Sequence, residues 1–411
     1  MDRLVHAKGI FDSKKCVMDD TGLLIQDGVI KGRGDFEEMK VRWPDVPVLD
    51  YREEYILPGL INTHVHLEFK PGGDTYQTYR NESDQEHIRG AVEAAKCLLH
   101  SGVTAVRDAG SSMELVKWLK KTEKGRREAA HLPRLFLSGP PVTARGGHLG
   151  FLGGEAQTRG ELEAEAVKRR ENECSCIKMI VSGGQLTPGS VPERDSYGKQ
   201  EICILTRAAK KEKMKTAAHC LTMDSLVHAM EGGADSIEHC ACFKRNEKNG
   251  LLERVYEPER MKAFEGDPRF FMPGLSNNYH LLDHVRNGIQ KADARERFLL
   301  DQEQKAFEIV NRLTGLGMRP TVGTDGGCGL TYFDETWLEL ELLVKGCGMD
   351  CGAAIKAATC HGAEALGREA DLGSLKEGYA ADFIRVRAEA PKDIKPLAAL
   401  TDVILGANIV K

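Results

Sequence analysis

Two histidines one residue apart, His64 and His66 in the run Pro58-Gly59-Leu60-Ile61-Asn62-Thr63-His64-Val65-His66-Leu67-Glu68, carry the first chemical signal of the chain. Side chains one and three of an extended strand point to the same face, so two imidazoles can converge on one point at the strand's end. That is a metal-ligand geometry, although alternate histidines also occur on exposed strands that bind nothing. Lys178, His219, His239 and Asp325 each sit in or at the end of their own short apolar run, bounded by glycine or a polar turn. Four imidazoles and a carboxylate suit zinc or another borderline divalent ion, whose usual ligands outside thiolate sites are neutral nitrogen and anionic oxygen. Lys178 fits that set poorly as an ammonium, which has no acceptor. Beside metal ions it must be repelled, deprotonated or chemically changed, and reaction with carbon dioxide gives a carbamate, an anion able to bridge two metals.

These residues need a frame that brings distant segments to one place. Strand candidates are Ile56–Leu67, Val103–Ala109, Arg134–Gly139, Cys176–Val181, Lys215–Cys220, Ser236–Cys240, Phe271–Leu275 and Arg319–Asp325. Helix-like stretches follow most of them: His87–His100, Met113–Lys124, Arg159–Asn172, Lys199–Lys213 and Ser225–Glu231, with Glu335–Lys345 and Cys351–Leu366 after the last. Apolar strands alternating with amphipathic helices indicate a parallel sheet buried on both faces, and eight such units close into a (β/α)8 TIM-type barrel. Active sites of such barrels form at the C-terminal ends of the strands, where the candidate ligands lie. The charged segment Arg245–Phe264 lacks clean periodicity and is read as a loop or lid insertion.

The chain has 411 residues, enough for a barrel of ~250 residues and a smaller unit. Near the start, Asp27-Gly28 between two apolar runs is a strong hairpin signal and implies a small antiparallel sheet. Its expected partner is Ala380–Val386 and Val403–Ala407, giving one β-sandwich from both termini, residues 1–57 plus 370–411, with the barrel at 58–369. A net charge of −5, with Lys+Arg 57 against Asp+Glu 62, argues against a broad nucleic-acid surface. No apolar run approaches a membrane span and Met1–His6 lacks the layout of a secretory signal, so a cytoplasmic protein, a homo-oligomer, is expected. Twelve cysteines are too sparse for a disulfide framework, and neither Cys174-Ser175-Cys176 nor Cys240-Ala241-Cys242 has zinc-knuckle spacing. Cys220, Cys240 and Cys328 lie nearest the proposed ligands and are the candidates for a functional thiol.

The first-strand run Pro58–His66, Gly323-Thr324-Asp325 near the last strand, Ile177–Gly184, Ala217-Ala218-His219 and Ser236-Ile237-Glu238-His239 together resemble the amidohydrolase superfamily, in the branch of prolidase-like dipeptidases and relatives of imidazolonepropionase. The likeness covers nearly the whole chain, including Cys360–Gly367 and Leu372–Asp382. It implies two divalent metals, zinc foremost: His64 and His66 on the first, His219 and His239 on the second, and a carboxylated Lys178 bridging them. Asp325 would bind the first metal and shuttle the proton as a metal-bridging hydroxide attacks an amide carbonyl.

Pro140–Gly150 is a glycine-rich loop that resembles the branch's Gly-Gly-His, except that Leu149 intervenes before the next glycine. There His148 could stabilise an oxyanion and Arg145 could clamp a carboxylate, with a surface salt bridge as the alternative for Arg145. Small residues around Cys240-Ala241-Cys242 and Gly326-Gly327-Cys328-Gly329 suggest a small pocket floor, and Ser276–His280 could add polar contacts. The substrate expected is a dipeptide or N-acyl amino acid cleaved at its C–N amide bond. Alternatives are a cyclic-amide or lactam hydrolase, a one-metal deaminase, which Lys178 speaks against, and a non-catalytic scaffold, which retention of every ligand speaks against.

Overall fold

A computed structural model of the chain describes residues 2–12, 15–125, 132–387, 393–406 and 408–411, the side chains of 12–20 and 123–125 excepted. The first strands are β1 (Arg3–Asp12), β2 (Lys15–Gln26), β3 (Val29–Asp35) and β4 (Val48–Pro58). Next come β5 (Leu60–Val65), β6 (Val103–Asp108), β7 (Arg134–Leu137), β8 (Cys176–Ile180), β9 (Lys215–Cys220) and β10 (Ser236–His239). A short hairpin follows, β11 (Phe243–Arg245) and β12 (Leu252–Arg254), then β13 (Phe270–Met272) and β14 (Arg319–Pro320). The chain finishes with β15 (Phe383–Val386), β16 (Asp402–Leu405) and β17 (Asn408–Ile409); the expected end of the last strand, Ala407, lies outside the described residues.

The central strands form two all-parallel sheets, ordered β5-β6-β7 and β14-β13-β10-β9-β8. Every residue of β5, β6 and β8 is buried, as expected of parallel strands covered on both faces. Parallel bridges pair Val142 with Met179 and Val65 with Gly326, so backbone bonding passes from the β7 end to β8 and from the β14 end back to β5. Thr63 and Asp325 amides donate to the carbonyls of Val322 and His64 along that second seam. Helices Asp84–His100, Met113–Gly125, Arg159–Glu171, Lys199–Lys211 and Met223–Gly232 follow successive strands. Several start on side-chain caps: Ser83 and Thr158 each form a reciprocal box with the glutamate three residues on.

The two termini share a single seven-stranded sheet, β17-β16-β15-β4-β1-β2-β3. Asp27 and Gly28 both have positive φ, 50° and 75°, which is what a two-residue hairpin of this twist requires, and Gln26 pairs with Val29 across it. Alternation sends Val5, Leu23 and Ile25 to one face with Phe383 and Ile404, and Leu4 and Leu24 to the other under the helix Phe36–Arg42. The sheet is mixed rather than antiparallel, because that helix is a crossover that returns β4 parallel to β1.

Other expectations also change. Ile56–Leu67 is two strands, since Pro58 has no amide to donate and Gly59 turns its own to the Asp382 carbonyl. Regular pairing in β14 stops at Pro320, although Thr321 still donates to the Phe271 carbonyl. The stretch Cys351–Leu366 divides into Cys351–Ala357 and Cys360–Ala365. Arg245–Phe264 is no bare loop: it holds part of the β11–β12 hairpin and the short helix Pro258–Met261. The 22-residue helix Ala294–Gly315 was not anticipated; charges interrupt its apolar stripe of Ala306, Phe307, Val310 and Leu313. Among the described residues no helix is long and apolar enough to cross a membrane.

Two residues make this packing testable. A Cβ on Gly59 would meet Thr104 Oγ1 at 2.1 Å, so Gly59→Ala is expected to cost about 1–3 kcal/mol and lower the urea midpoint; an unchanged midpoint contradicts the close approach. Glu339, fully buried, accepts from the amides of Leu275 at 2.9 Å and Ser276 at 2.7 Å, and burial pushes its carboxyl up to about 7. Between the unfolded value of 4.5 and about 7 the folded protein holds a proton that the unfolded chain has released, so this group's contribution to stability is lost as pH rises through that window. Urea unfolding across it should show wild type losing on the order of 3 kcal/mol relative to Glu339→Gln, and parallel pH curves contradict this.

Candidate metal centre

The strand ends bring His64, His66, Lys178, His219, His239 and Asp325 to one wall of a cavity, with His64 packed immediately behind it. His64 and His66 leave β5 on one side, as the two-residue strand period requires. Backbone conformation at two of the ends is unusual: His239 and Asp325 have φ of 69° and 62°, the left-handed region that costs a residue with a side chain roughly 1–2 kcal/mol. Such conformations persist where surrounding contacts over-determine them, and they concentrate at functional sites.

Hydrogen bonds settle which nitrogens are free. Glu238 Oε2 can only accept from His64 Nδ1, 2.7 Å away, when ionised, which leaves the lone pair on His64 Nε2. The Gly110 carbonyl likewise accepts from His66 Nδ1 at 2.9 Å, leaving Nε2 as the acceptor of the neutral ring. Asp325 Oδ1 lies 3.5 Å from His64 Nε2 and 3.3 Å from His66 Nε2. Three acceptor atoms therefore converge, all within 4.8 Å of one another and all buried. Such a cluster could hold a cation. The Gly183 carbonyl accepts from His219 Nε2 at 3.1 Å, so this ring presents Nδ1 as its lone pair. His239 stands between the groups, its ring centroid 4.9 Å from that of His64 and 4.7 Å from that of His219.

Burial dominates the electrostatics. It pushes His64 and His219 well below the ordinary imidazole value and His239 down to about 4, so these rings stay neutral, the form in which they ligate. Lys178 is buried with Nζ 3.3 Å from His64 Nε2, and burial pushes its amine down to about 8. Burial also works against the Asp325 carboxylate, but the surrounding imidazoles of His66, His64 and His239 outweigh it and hold the group well below the carboxylate range. Asn277 Nδ2 donates to Asp325 Oδ2 at 2.6 Å and fixes the outer oxygen.

Two charged residues that the sequence reading passed over organise this wall. Glu238 Oε1 accepts from Arg107 Nη2 at 2.8 Å and from Ser236, while Arg107 Nε donates to the Thr63 carbonyl at 2.6 Å. Arg107 is 1% exposed and Glu238 is fully enclosed, so each is the other's necessary partner. The available signal was a charge inside an apolar run, in Val-Thr-Ala-Val-Arg and in Ser-Ile-Glu-His, on strands expected to be buried on both faces.

His148 lines the cavity with its ring 5.1 Å from that of His219 and its Nδ1 3.1 Å from Thr187 Oγ1; burial pushes it down to about 3. Arg145 is not brought to this group. It is exposed, pairs with Glu161, and lies away from the cavity wall, since Gly146 turns the chain before His148 enters. Cys240 and Cys328 line the cavity and Cys220 is buried behind it, and burial pushes all three thiols well above their usual value, against a thiolate role. The pocket is not small: about 1220 Å³ opens between the strand ends, the β11–β12 hairpin and the helix Ala294–Gly315.

Known proteins resemble this chain along most of its length. Ochratoxinase of Aspergillus niger is 25% identical over 95% of this chain and 83% of its own length. Imidazolonepropionase of Deinococcus deserti is 22% identical over 92% of this chain and 88% of its own. Among solved structures, a Xaa-Pro dipeptidase with methionine bound in its active site superposes with a TM-score of 0.82 at 22% identity, over 100% of this chain and 99% of that one. The profile of the amidohydrolase family matches residues 55–410, and the chain belongs to that family, as a hydrolase acting on carbon–nitrogen bonds.

Proposed function

We propose that the protein hydrolyses the amide bond of a dipeptide or an N-acyl amino acid, with two divalent metal ions held at the strand ends. The observation that carries this reading is the convergence of three lone pairs, His64 Nε2, His66 Nε2 and Asp325 Oδ1, with no proton to share among them. These residues would hold the first ion, and His219 with His239 the second. When bound, zinc ions acidify a water and polarise the scissile carbonyl, so no side-chain nucleophile is required. Lys178, enclosed beside His64, would bridge as a carbamate: its amine adds to carbon dioxide and gives up one proton. The fold underlying this is a closed (β/α)8 barrel, 58–369, beside a terminal β-domain of 1–57 plus 370–411; the bridges at Val142 and Val65 support closure.

Asp325 would accept the proton of the attacking water on a carboxylate oxygen and return it to the leaving amine, the outer oxygen being steadied by Asn277. His148 stands across from His219 with a neutral ring, suited to donating a hydrogen bond to the developing oxyanion. A cavity of about 1220 Å³ is larger than a dipeptide fills, which favours N-acyl amino acids with a bulky acyl group.

Amine release from a panel of dipeptides and N-acyl amino acids, with Asp325→Asn as the blank, should appear in wild type and vanish in the blank; silence of the zinc-loaded enzyme across the panel contradicts the reading. Lys178→Ala should remove activity by at least about 10²-fold and recover part of it with added short carboxylates, whereas full retained activity excludes the carbamate.

A further inference from the structure

Arginines line the cavity at four positions, 245, 254, 286 and 295. Arg245 pairs with Glu193, and Arg286 pairs with Glu303. Arg295 is exposed on the outer rim. Arg254 differs from all of them. Among the described residues it makes no ion pair; its Nη1 donates to the Ala241 carbonyl at 3.0 Å, and its Nε is sealed from solvent with no hydrogen-bond partner. The guanidinium lies over the Phe243 ring, 4.7 Å from the centroid. An arginine with a planar fork and only one acceptor is under-satisfied, and burial pushes it down to about 10 while leaving it protonated at neutral pH.

Its position matters as much as its lack of a partner. Arg254 ends β12, and through Ala241 it is anchored two residues beyond His239, at the strand end that carries a metal-binding imidazole. The Gln302 side chain on the helix Ala294–Gly315 accepts from the Arg254 amide at 2.5 Å, so the long helix holds the hairpin's return strand in place. Apolar side chains of Leu252, Leu282, Phe298 and Leu299 line other parts of the same cavity.

We propose that Arg254 is the carboxylate-recognition residue of this enzyme: its guanidinium, which lines the cavity, pairs with the carboxylate of an N-acyl amino acid or C-terminal dipeptide residue next to the scissile amide, while the apolar lining takes the acyl side. A bidentate pair in a confined site fixes the position of the amide as well as binding the substrate. The charges are complementary: Arg254 brings to the cavity wall a cation without an ion pair among the described residues, and the substrate brings one anion. The proposal rests on the amide-hydrolase reading above.

The test compares an N-acyl amino acid with its C-terminal carboxamide, using wild type, Arg254→Lys and Arg254→Met, with metal content and melting temperature recorded for each. Wild type should prefer the acid. Arg254→Met should lose about 30–100-fold in kcat/KM on the acid, mostly through KM, with the carboxamide changed by no more than a few-fold. Arg254→Lys, which keeps the charge without the fork, should fall between them and hold even if the methionine variant misfolds. Equal losses on acid and carboxamide would assign Arg254 to holding Ala241 and Phe243 alone and overturn the proposal. Turnover of carboxamides but not acids by wild type overturns it too, while leaving the hydrolase reading intact. If neither is cleaved, calorimetric titration with the acid reads the same contrast: tight binding to wild type lost in Arg254→Met supports the proposal, and equal binding to both sinks it.

Discussion

A single enclosed carboxylate, Glu238, joins the guanidinium of Arg107 to the imidazole of His64, and the candidate metal-binding wall depends on that junction. Each charge is removed from water, so neither is tolerable alone; deleting one partner of such a pair typically costs roughly 3–5 kcal/mol. What the pair provides is direction. Glu238 fixes the His64 proton on Nδ1 and aims Nε2 at Asp325, while Arg107 reaches back to the Thr63 carbonyl on the strand that carries His64. Strands β5, β6 and β10 are thereby tied together through side chains as well as through their ladders. Ligands held by packed strands and partnered on their far nitrogens meet the requirement of a site that binds metal without first reorganising.

The rest of the site follows from how strands end. His239 and Asp325 turn into the left-handed region where their ladders stop, which swings side chains from the sheet into the cavity. Asp325 is secured there by its amide on the His64 carbonyl and by Asn277 on its outer oxygen. The cost of those conformations is met by the long-range contacts of the sheet, and they persist for that reason.

Legibility in the sequence tracked the range of the interaction. His64, His66, Lys178, His219, His239 and Asp325 stand out in the sequence because each lies in or at the end of an apolar run, which is a local pattern. The Asp27-Gly28 hairpin was readable because two residues contain its geometry. Arg107 and Glu238 were not, since their partnership spans 131 residues and only the fold brings them together. Arg145 was misplaced for the converse reason: proximity in sequence to His148 says nothing about side, and Gly146 separates them. The helix Ala294–Gly315 escaped because its stripe is diluted by charges that face the cavity rim and solvent, and with it escaped the wall that makes the pocket large.

The central claim is a preorganised pair of metal positions, and the most direct measurement is the metal content of zinc-loaded protein after exhaustive dialysis. The account predicts close to two equivalents per chain. Retention of one equivalent would contradict the bridged pair, and retention of none would contradict the site itself.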